Sequence, residues 1–114
     1  MPTLILMRTE QVIIAPGSLI SGVLAIPDVT IVGIMAPGAI DHNTLYFDVS
    51  VDGATYLPLS DMDGAPVRCL LAAQNAVTMD VRIFRPWWYM RLRLTVAAAA
   101  SRRYTMLVRP AWGG

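Results

Sequence analysis

The stretch from Thr44 to Leu71 (TLYFDVSVDGATYLPLSDMDGAPVRCLL) constrains the fold more than any other part of the chain. Its first part alternates between apolar and polar residues, and a period of two is typical of a β-strand with one buried face. Asp52-Gly53 and Asp63-Gly64 then separate two further short runs. Asp-Gly between alternating runs indicates a hairpin turn, because Gly accepts positive φ at little cost. The stretch therefore predicts a three-stranded antiparallel meander.

The rest of the chain predicts further short strands, separated by turn residues such as Pro16-Gly17 and Pro37-Gly38. No segment has a convincing helical period. The predicted strands outside the meander are Glu10–Ala15, Leu19–Ile26, Val29–Ala36, Ala76–Ile83, Trp87–Val96 and Arg103–Arg109. Eight or nine short strands with regularly spaced turns indicate an all-β fold, an antiparallel β-sandwich of jelly-roll type. An up-and-down barrel is the alternative.

Composition predicts a single domain that associates with other subunits. The domain covers residues 1–114, with a short N-terminal arm (1–9) and a C-terminal tail (110–114). Charged residues make up only 15% of the chain and hydrophobic residues 55%, whereas ordinary soluble domains carry roughly 25% charge. Part of the apolar surplus is therefore expected to be buried in a homo-oligomer or a larger assembly. The alternative is a monomer in which Ala and Thr residues cover much of the surface.

The nearly continuous apolar run Val29–Ala36 (VTIVGIMA) is the strongest local signal for a subunit contact. Such a run suits a strand that is covered on both sides. In a two-layer sandwich, the second side needs a cover, which could be a neighbouring subunit or a loop or terminal arm of the same chain. We therefore predict Ile31 and Ile34 as interface residues.

A cluster of aromatic and Arg residues gives the second predicted interface. Successive side chains of a strand point to opposite faces, so in Trp87–Val96 we expect Trp88 to face the core. Tyr, Trp and Arg are enriched at binding hot spots. The residues predicted at the interface, on the opposite face and in the tail, are Trp87, Tyr89, Arg91, Arg93 and Trp112. A packed aromatic corner and a sugar-stacking platform are the alternatives.

No constellation of residues predicts catalysis, a metal site or a cofactor. His42, the only His, lies in a predicted loop without a partner for acid–base chemistry. Asp61-Met62-Asp63-Gly64 lacks the third acid and the distal Glu of a calcium loop, which favours a hairpin turn. Cys69 is the only Cys and is expected to be a buried, inert thiol. We therefore predict a protein that is not an enzyme.

Export, membranes and nucleic acid are not indicated either. The start MPTLILMRTE has no basic segment and too short an apolar run for a signal peptide. Pro and Gly interrupt the uncharged run 11–27, whereas a spanning helix needs about 20 apolar residues. Arg residues cluster in the last third, but no recognition helix or RNA-binding motif accompanies them. Acids gather in 41–63, so a basic side of one subunit could meet an acidic patch of another.

The string LYFDVSVDGATYLPLSDMDGAPV resembles a pattern in small β-sandwich proteins of tailed-bacteriophage virions. That pattern is an alternating strand, S-x-D-G, an aromatic residue, P-L and a D-x-x-G turn. WWYMRLRLTV and YTMLVRP resemble the Arg-rich strand and the closing strand that follow it. The likeness covers about Thr44–Pro110, and the first 40 residues do not take part.

This resemblance implies a virion structural protein, made in the host cytoplasm and without catalytic residues. Its expected role is that of a capsid decoration (cement) protein, which binds and stabilises the lattice of the major capsid protein as a homo-oligomer. A neck or tail component of the virion is the first alternative. A carbohydrate-binding attachment module, with Trp87 as its platform, is the second.

Overall fold

Two antiparallel β-sheets form the framework of the protein. The structure is a computed structural model that describes residues 8–27 and 29–110, and this described part contains no helix. Its strands are β1 (Arg8–Ile14), β2 (Leu24–Ala25), β3 (Val29–Met35), β4 (Thr44–Ser50), β5 (Leu57–Pro58), β6 (Arg68–Leu70), β7 (Ala76–Thr78), β8 (Tyr89–Arg93) and β9 (Arg102–Pro110). Arg8 and Thr9 of the predicted arm belong to β1. Residues 1–7 and 111–114, including Trp112, lie outside the described residues.

The order of the strands is that of a jelly roll. One sheet has the order β1-β9-β3-β7, and the other has the order β2-β8-β4-β5, with β6 also paired to β4. If β5 and β6 are counted as one interrupted strand, these are the two four-stranded sheets of a jelly roll. The predicted all-β, antiparallel sandwich of jelly-roll type is therefore confirmed.

The interior lies between the two sheets and is filled by apolar side chains from both. The rings of Phe47 and Phe84 meet edge to face, with centroids 5.1 Å apart and planes at 77°. Burying one such ring contributes about 1.5–3 kcal/mol relative to leaving it exposed. Other fully buried side chains are Ile14, Ile26, Ile31, Ile34, Leu45, Met90, Leu92, Leu94, Tyr104 and Met106.

A β-bulge in β3 explains why the run Val29–Ala36 looks apolar throughout. The register shifts between Ile31 and Gly33, so that Ile31 pairs with Val108 and Ile34 with Met106. Ile31 and Ile34 would face opposite sides in a regular strand, but the extra residue turns both inward. Both are 0% exposed. They cannot contact a second protein, and the prediction of these two as interface residues is wrong.

The chain itself covers part of the other side of β3. The Thr30 hydroxyl donates to the Val81 carbonyl (2.9 Å), and the Met79 N–H donates to the Val32 carbonyl (2.9 Å). Thr30 is therefore 1% exposed although it faces away from the interior. These bonds draw residues 79–81 across β3, which is why the predicted strand Ala76–Ile83 pairs only as far as Thr78.

The stretch after β4 returns as one interrupted strand, so the predicted three-stranded meander is wrong in its last strand. Leu57 of β5 pairs with Val49, and Cys69 of β6 pairs with Leu45, so both short strands bind β4. The intervening residues form a small hairpin that is closed by a Ser60–Pro66 bridge. The Asp-Gly signals located both turns correctly, but a turn does not specify which strand its arms join.

The turn after β4 is held by its own side chains. Asp52 Oδ1 accepts hydrogen bonds from the N–H groups of Ala54 (2.8 Å) and Thr55 (2.9 Å). Gly53 has a φ of 78°, which L-residues rarely adopt. Several hydrogen-bond donors lower the pKa of Asp52 from 3.8 to about 2, and the Thr55 N–H has the largest effect. The ionised carboxylate is thus part of the turn.

The segment before β3 runs alongside β8 in space, but it forms regular strand pairing with β8 only at Leu24–Ala25. Where a backbone carbonyl would accept the Leu92 N–H, the Ser21 hydroxyl accepts it instead (2.9 Å). Ile20 forms an isolated bridge with Arg93. The predicted strand Leu19–Ile26 therefore exists as an irregular edge strand, with a side chain replacing the backbone at Ser21.

Ile34→Ala should lower the free energy of unfolding by about 2–5 kcal/mol, because it leaves a cavity between the sheets. Met35→Ala is the matched control, since Met35 is the next residue and is 41% exposed; its effect should be about 0.5 kcal/mol. Urea unfolding of both variants measures the difference. If both variants have equally small effects, and only Ile34→Ala changes the mass of the protein in solution, Ile34 would lie at a subunit interface and not in the core.

The free energy of unfolding should decrease as the pH is lowered through the range in which Asp52 titrates. Its pKa is depressed in the folded state, so its contribution is full above the unfolded pKa near 3.8 and is lost as pH falls through about 2. Asp52→Asn keeps an acceptor oxygen but cannot titrate. Urea unfolding can be measured between about pH 5 and about pH 2, a range that brackets the reference pKa of Asp. The free energy of unfolding should decrease less over this range for Asp52→Asn than for the wild type. Parallel losses would contradict this role.

Candidate protein-binding surfaces

The outer face of the second sheet carries aromatic and Arg side chains in register. Met90 and Leu92 of β8 point inward and are 0% exposed, whereas Tyr89, Arg91 and Arg93 point outward and are half-buried. Across the ladder, these three pair with Ser50, Asp48 and Tyr46 of β4, respectively. Two nearby residues, Tyr56 and Arg68, complete this surface. We call it the Tyr–Arg face and define it as Tyr46, Asp48, Tyr56, Arg68, Tyr89, Arg91 and Arg93.

Asp48 is the centre of the Tyr–Arg face and holds two arginines. Its Oδ2 accepts from Arg91 Nε (3.0 Å) and its Oδ1 from Arg93 Nε (2.9 Å). The Asp48 side chain is 5% exposed, against 25% for Arg91 and 31% for Arg93. A buried carboxylate is tolerated only when it is paired and hydrogen-bonded. Each guanidinium uses only Nε here, so its two terminal nitrogens have no hydrogen bond to a described residue.

Tyrosine rings fix the positions of the two guanidinium groups. The Arg91 guanidinium lies 4.5 Å from the centroid of the Tyr56 ring, and that of Arg93 lies 5.1 Å from the centroid of Tyr46. These are cation–π distances. Burial raises the pKa of Tyr56, whose hydroxyl is buried and has no hydrogen-bond partner among the described residues. The face therefore presents rigid donors beside aromatic rings, a composition typical of binding hot spots.

The two tryptophans are placed opposite to the prediction. Trp87 is half-buried and packs against the core, whereas Trp88 is 55% exposed. The reason is a turn before β8, in which the Trp87 N–H donates to the Phe84 carbonyl (3.0 Å). The strand alternation therefore starts only at Tyr89. It also ends early, because β8 stops at Arg93 and Val96 is 45% exposed.

Of the residues predicted at an interface, only Tyr89, Arg91 and Arg93 come together on one surface. The sequence did not indicate their partners Asp48, Tyr46 and Tyr56. The alternation of β4 placed Tyr46 and Asp48 on one side of their strand, which was the available signal. The sequence could not show that β4 lies beside β8, because Asp48 is 43 positions from Arg91 and 45 positions from Arg93.

A second surface consists of exposed apolar residues, and we call it the apolar edge. Its members, each 37–51% exposed, are Ile13, Leu19, Ile20, Val23 and Val96. Backbone hydrogen bonds connect them: the Gly22 N–H donates to the Ile13 carbonyl (3.1 Å), and the Leu94 N–H donates to the Leu19 carbonyl (2.7 Å). Single exposed apolar residues are normal, but a contiguous group marks a contact site. Ile20 pairs with Arg93, so the apolar edge borders the Tyr–Arg face.

Trp87 lines a groove of about 520 Å³ between the small hairpin and the segment before β8. Leu59, Met62, Val67 and Ile83 form its apolar part together with Trp87. Its polar lining residues are Ser60, Asp61, Asp80 and Arg82. Arg82 Nη2 lies 2.9 Å from Asp80 Oδ2, and this contact holds the pKa of Asp80 at about 2. The groove thus combines one aromatic face with several hydrogen-bonding groups.

The remaining candidate residues have local roles. His42 Nδ1 accepts the Thr44 N–H (3.1 Å) at the start of β4. Cys69 is a buried free thiol, as predicted, and burial raises its pKa. Within residues 8–27 and 29–110, no group of three or more His, Cys, Asp or Glu side chains could hold a metal ion. The same part of the chain has no helix that is long and apolar enough to span a membrane.

The fold and these surfaces define an all-β jelly-roll sandwich with two adjoining candidate binding surfaces and one groove. No protein-family model matches the chain, and no curated protein matches it in sequence. Several solved structures are similar to it. The core of Drosophila NLP, described for its pentamer formation and histone binding, has 12% identity and a TM-score of 0.43. The comparison covers 88% of this chain and 97% of that one.

Two further similar structures come from bacteria. The CBM32-1 module of a family 31 glycoside hydrolase from Clostridium perfringens has 13% identity and a TM-score of 0.46, over 91% of this chain and 92% of that one. The Yersinia pseudotuberculosis-derived mitogen has 10% identity and a TM-score of 0.40, over 94% and 87%. Identities and scores this low carry no argument about function.

Asp48→Ala should lower the free energy of unfolding by about 2–3 kcal/mol, because it leaves two partly buried arginines without their shared anion. Asp80→Ala is the matched control, since its pair with Arg82 is exposed and screened by solvent; its loss should be clearly smaller. Urea unfolding at neutral pH gives both values. Equal losses would show that Asp48 is no more important than a surface charge.

Proposed function

We propose that the chain is a virion structural protein of a tailed bacteriophage, and specifically a capsid decoration protein. In this role it binds the major capsid lattice as a homo-oligomer and stabilises it, and it acts by binding rather than by catalysis. The sequence likeness over Thr44–Pro110 supports the proposal. That stretch spans β4 to β9 and contains every residue of the Tyr–Arg face.

The observation that carries the proposal is the apolar edge beside the Tyr–Arg face. The chain has few charges, and much of its N-terminal apolar sequence is enclosed by its own fold, as Ile31 and Ile34 show. Leu19, Ile20 and Val23 remain exposed in the same third of the chain. Exposed apolar groups that border fixed Arg and Tyr side chains have the composition of a protein contact.

This arrangement suits a protein that clamps neighbouring capsid subunits. The apolar edge would supply the buried area, because transfer of apolar surface out of water contributes about 25 cal/mol per Å². The Arg and Tyr side chains would join copies of the chain in a fixed register, since guanidinium groups recognise carboxylates in defined geometries. The sandwich itself supplies rigidity, because the Tyr–Arg face lies on paired strands of one sheet and backbone hydrogen bonds tie the apolar edge to both sheets.

A neck or tail component of the virion is the alternative within the same class. It would use the same surfaces, but it would be present in far fewer copies than a protein that covers the capsid lattice. The number of copies per particle therefore separates the two roles.

A carbohydrate-binding attachment module is the candidate from another class, and the groove beside Trp87 favours it. Sugar rings have apolar faces that stack on aromatic side chains and hydroxyls that bind Asp, Arg and Ser side chains. Both kinds of group line this groove. Its volume of about 520 Å³ lies within the range of pockets for small ligands.

Purified capsids assembled without the chain should bind it in many copies. A variant with Leu19→Asp and Val23→Asp should bind at least tenfold more weakly, which is about 1.4 kcal/mol, because the apolar edge then carries charge. Val51→Asp is the matched control, since Val51 is an exposed apolar residue outside the edge. Cosedimentation with capsids, followed by quantitative mass spectrometry, measures occupancy.

The same assay separates the alternatives. Saturation at a handful of copies per particle would indicate a neck or tail component. Trp87→Ala should leave capsid binding unchanged if the chain decorates capsids. A chain that ignores capsids but binds a glycan array, and loses that binding in Trp87→Ala, would overturn the decoration role in favour of attachment.

A further inference from the structure

The tip of the small hairpin, Asp61–Gly64, is an acidic knob with an apolar centre. The Met62 side chain is fully exposed to solvent, and Asp61 and Asp63 flank it. Asp61 Oδ1 accepts from the N–H groups of Asp63 (2.9 Å) and Ala65 (3.0 Å), and Gly64 has a φ of 83°. The tip is therefore held in one shape, which limits the entropy that it would lose on docking.

The charges of the acidic tip are not neutralised by the part of the chain that the structure describes. Neither Asp61 nor Asp63 forms an ion pair with any residue in the described ranges. The two carboxylates give the tip a charge of −2. An exposed Met between unpaired carboxylates suits a cationic, aromatic surface, because the thioether packs favourably against aromatic rings.

The Tyr–Arg face has the complementary chemistry. Its three arginines and one aspartate give it a net charge of +2. Arg68 forms no ion pair with a described residue and is exposed, and it pairs with Tyr46 in the ladder. The terminal nitrogens of Arg91 and Arg93 also remain available, since both groups bind Asp48 through Nε.

We propose that the acidic tip of one copy of this chain docks on the Tyr–Arg face of a second copy. The carboxylates of the tip accept hydrogen bonds from the free guanidinium nitrogens, and Met62 packs against the tyrosine rings. This inference deepens the proposed assembly role, on which it rests, by naming the surfaces through which the copies join. Charge complementarity between two surfaces of one chain is what selects a second copy as the occupant.

The contact is of the head-to-tail kind, because tip and face are different surfaces. Each copy offers one tip and one face, so contacts continue from copy to copy until a ring closes or a filament forms. This property distinguishes the proposed contact from a two-fold dimer, and it makes a mixing experiment possible.

Two variants remove one half of the contact each. The tip variant carries Met62→Ser and Asp63→Ser, and the face variant carries Arg68→Glu, which leaves Asp48 and its two partners intact and creates no new opposite-charge pair between the variants. All three positions are exposed, so we expect unchanged urea unfolding midpoints. Sedimentation equilibrium over a dilution series should show an oligomeric wild type and at least tenfold weaker self-association for each variant.

A mixture of the two variants tests the proposal most directly. The face variant keeps a wild-type tip, and the tip variant keeps a wild-type face, so the mixture should form a one-to-one heterodimer and nothing larger. Native mass spectrometry distinguishes the two subunits by mass. A monomeric wild type, variants that associate like the wild type, or a mixture without heterodimer would each overturn the proposal. Capsid binding is measured separately, so it can persist where the tip–face contact fails.

Discussion

The antiparallel pairing of β4 with β8 is the interaction on which the rest of this structure depends. Its pleat sends Phe47, Met90 and Leu92 into the interior, where they are fully buried. The same pleat sends Asp48 and Arg91 outward as directly opposed neighbours. Core and binding surface are therefore two sides of one ladder, and a one-residue slip in register would destroy both.

Asp48 shows how that ladder creates a defined surface from few charges. Its carboxylate lies on the outer side of the sheet but is almost fully covered by the arginines that it binds. An anion in such a position fixes the guanidinium groups instead of remaining mobile in water. The exposed pair of Arg82 with Asp80 has no comparable effect, because its members are close in sequence and surrounded by solvent.

The apolar surplus of the chain divides between the interior and one edge. The bulge in β3 brings Ile31 and Ile34 to the same side, and residues 79–81 cover Thr30 on the other. The irregular segment around Ile20 instead bridges β1, where Ser21 pairs with Ile14, and β8, where Ile20 pairs with Arg93, and it leaves Leu19, Ile20 and Val23 exposed. The exposed apolar residues thus lie where this segment joins the two sheets, beside the Tyr–Arg face, and this position supports the proposed role in assembly.

The fold class, the two Asp-Gly turns and the outward direction of Tyr89, Arg91 and Arg93 could be predicted from the residues alone. These features follow from local rules, namely the period of two in a strand and the φ preference of Gly. Only the tertiary structure decided that β5 and β6 share one partner, that Trp87 packs inward, and that Asp48 meets Arg91. Each of these depends on which distant strands become neighbours or on where a strand begins. Such facts are set by packing of the whole chain, and short-range periodicity does not encode them.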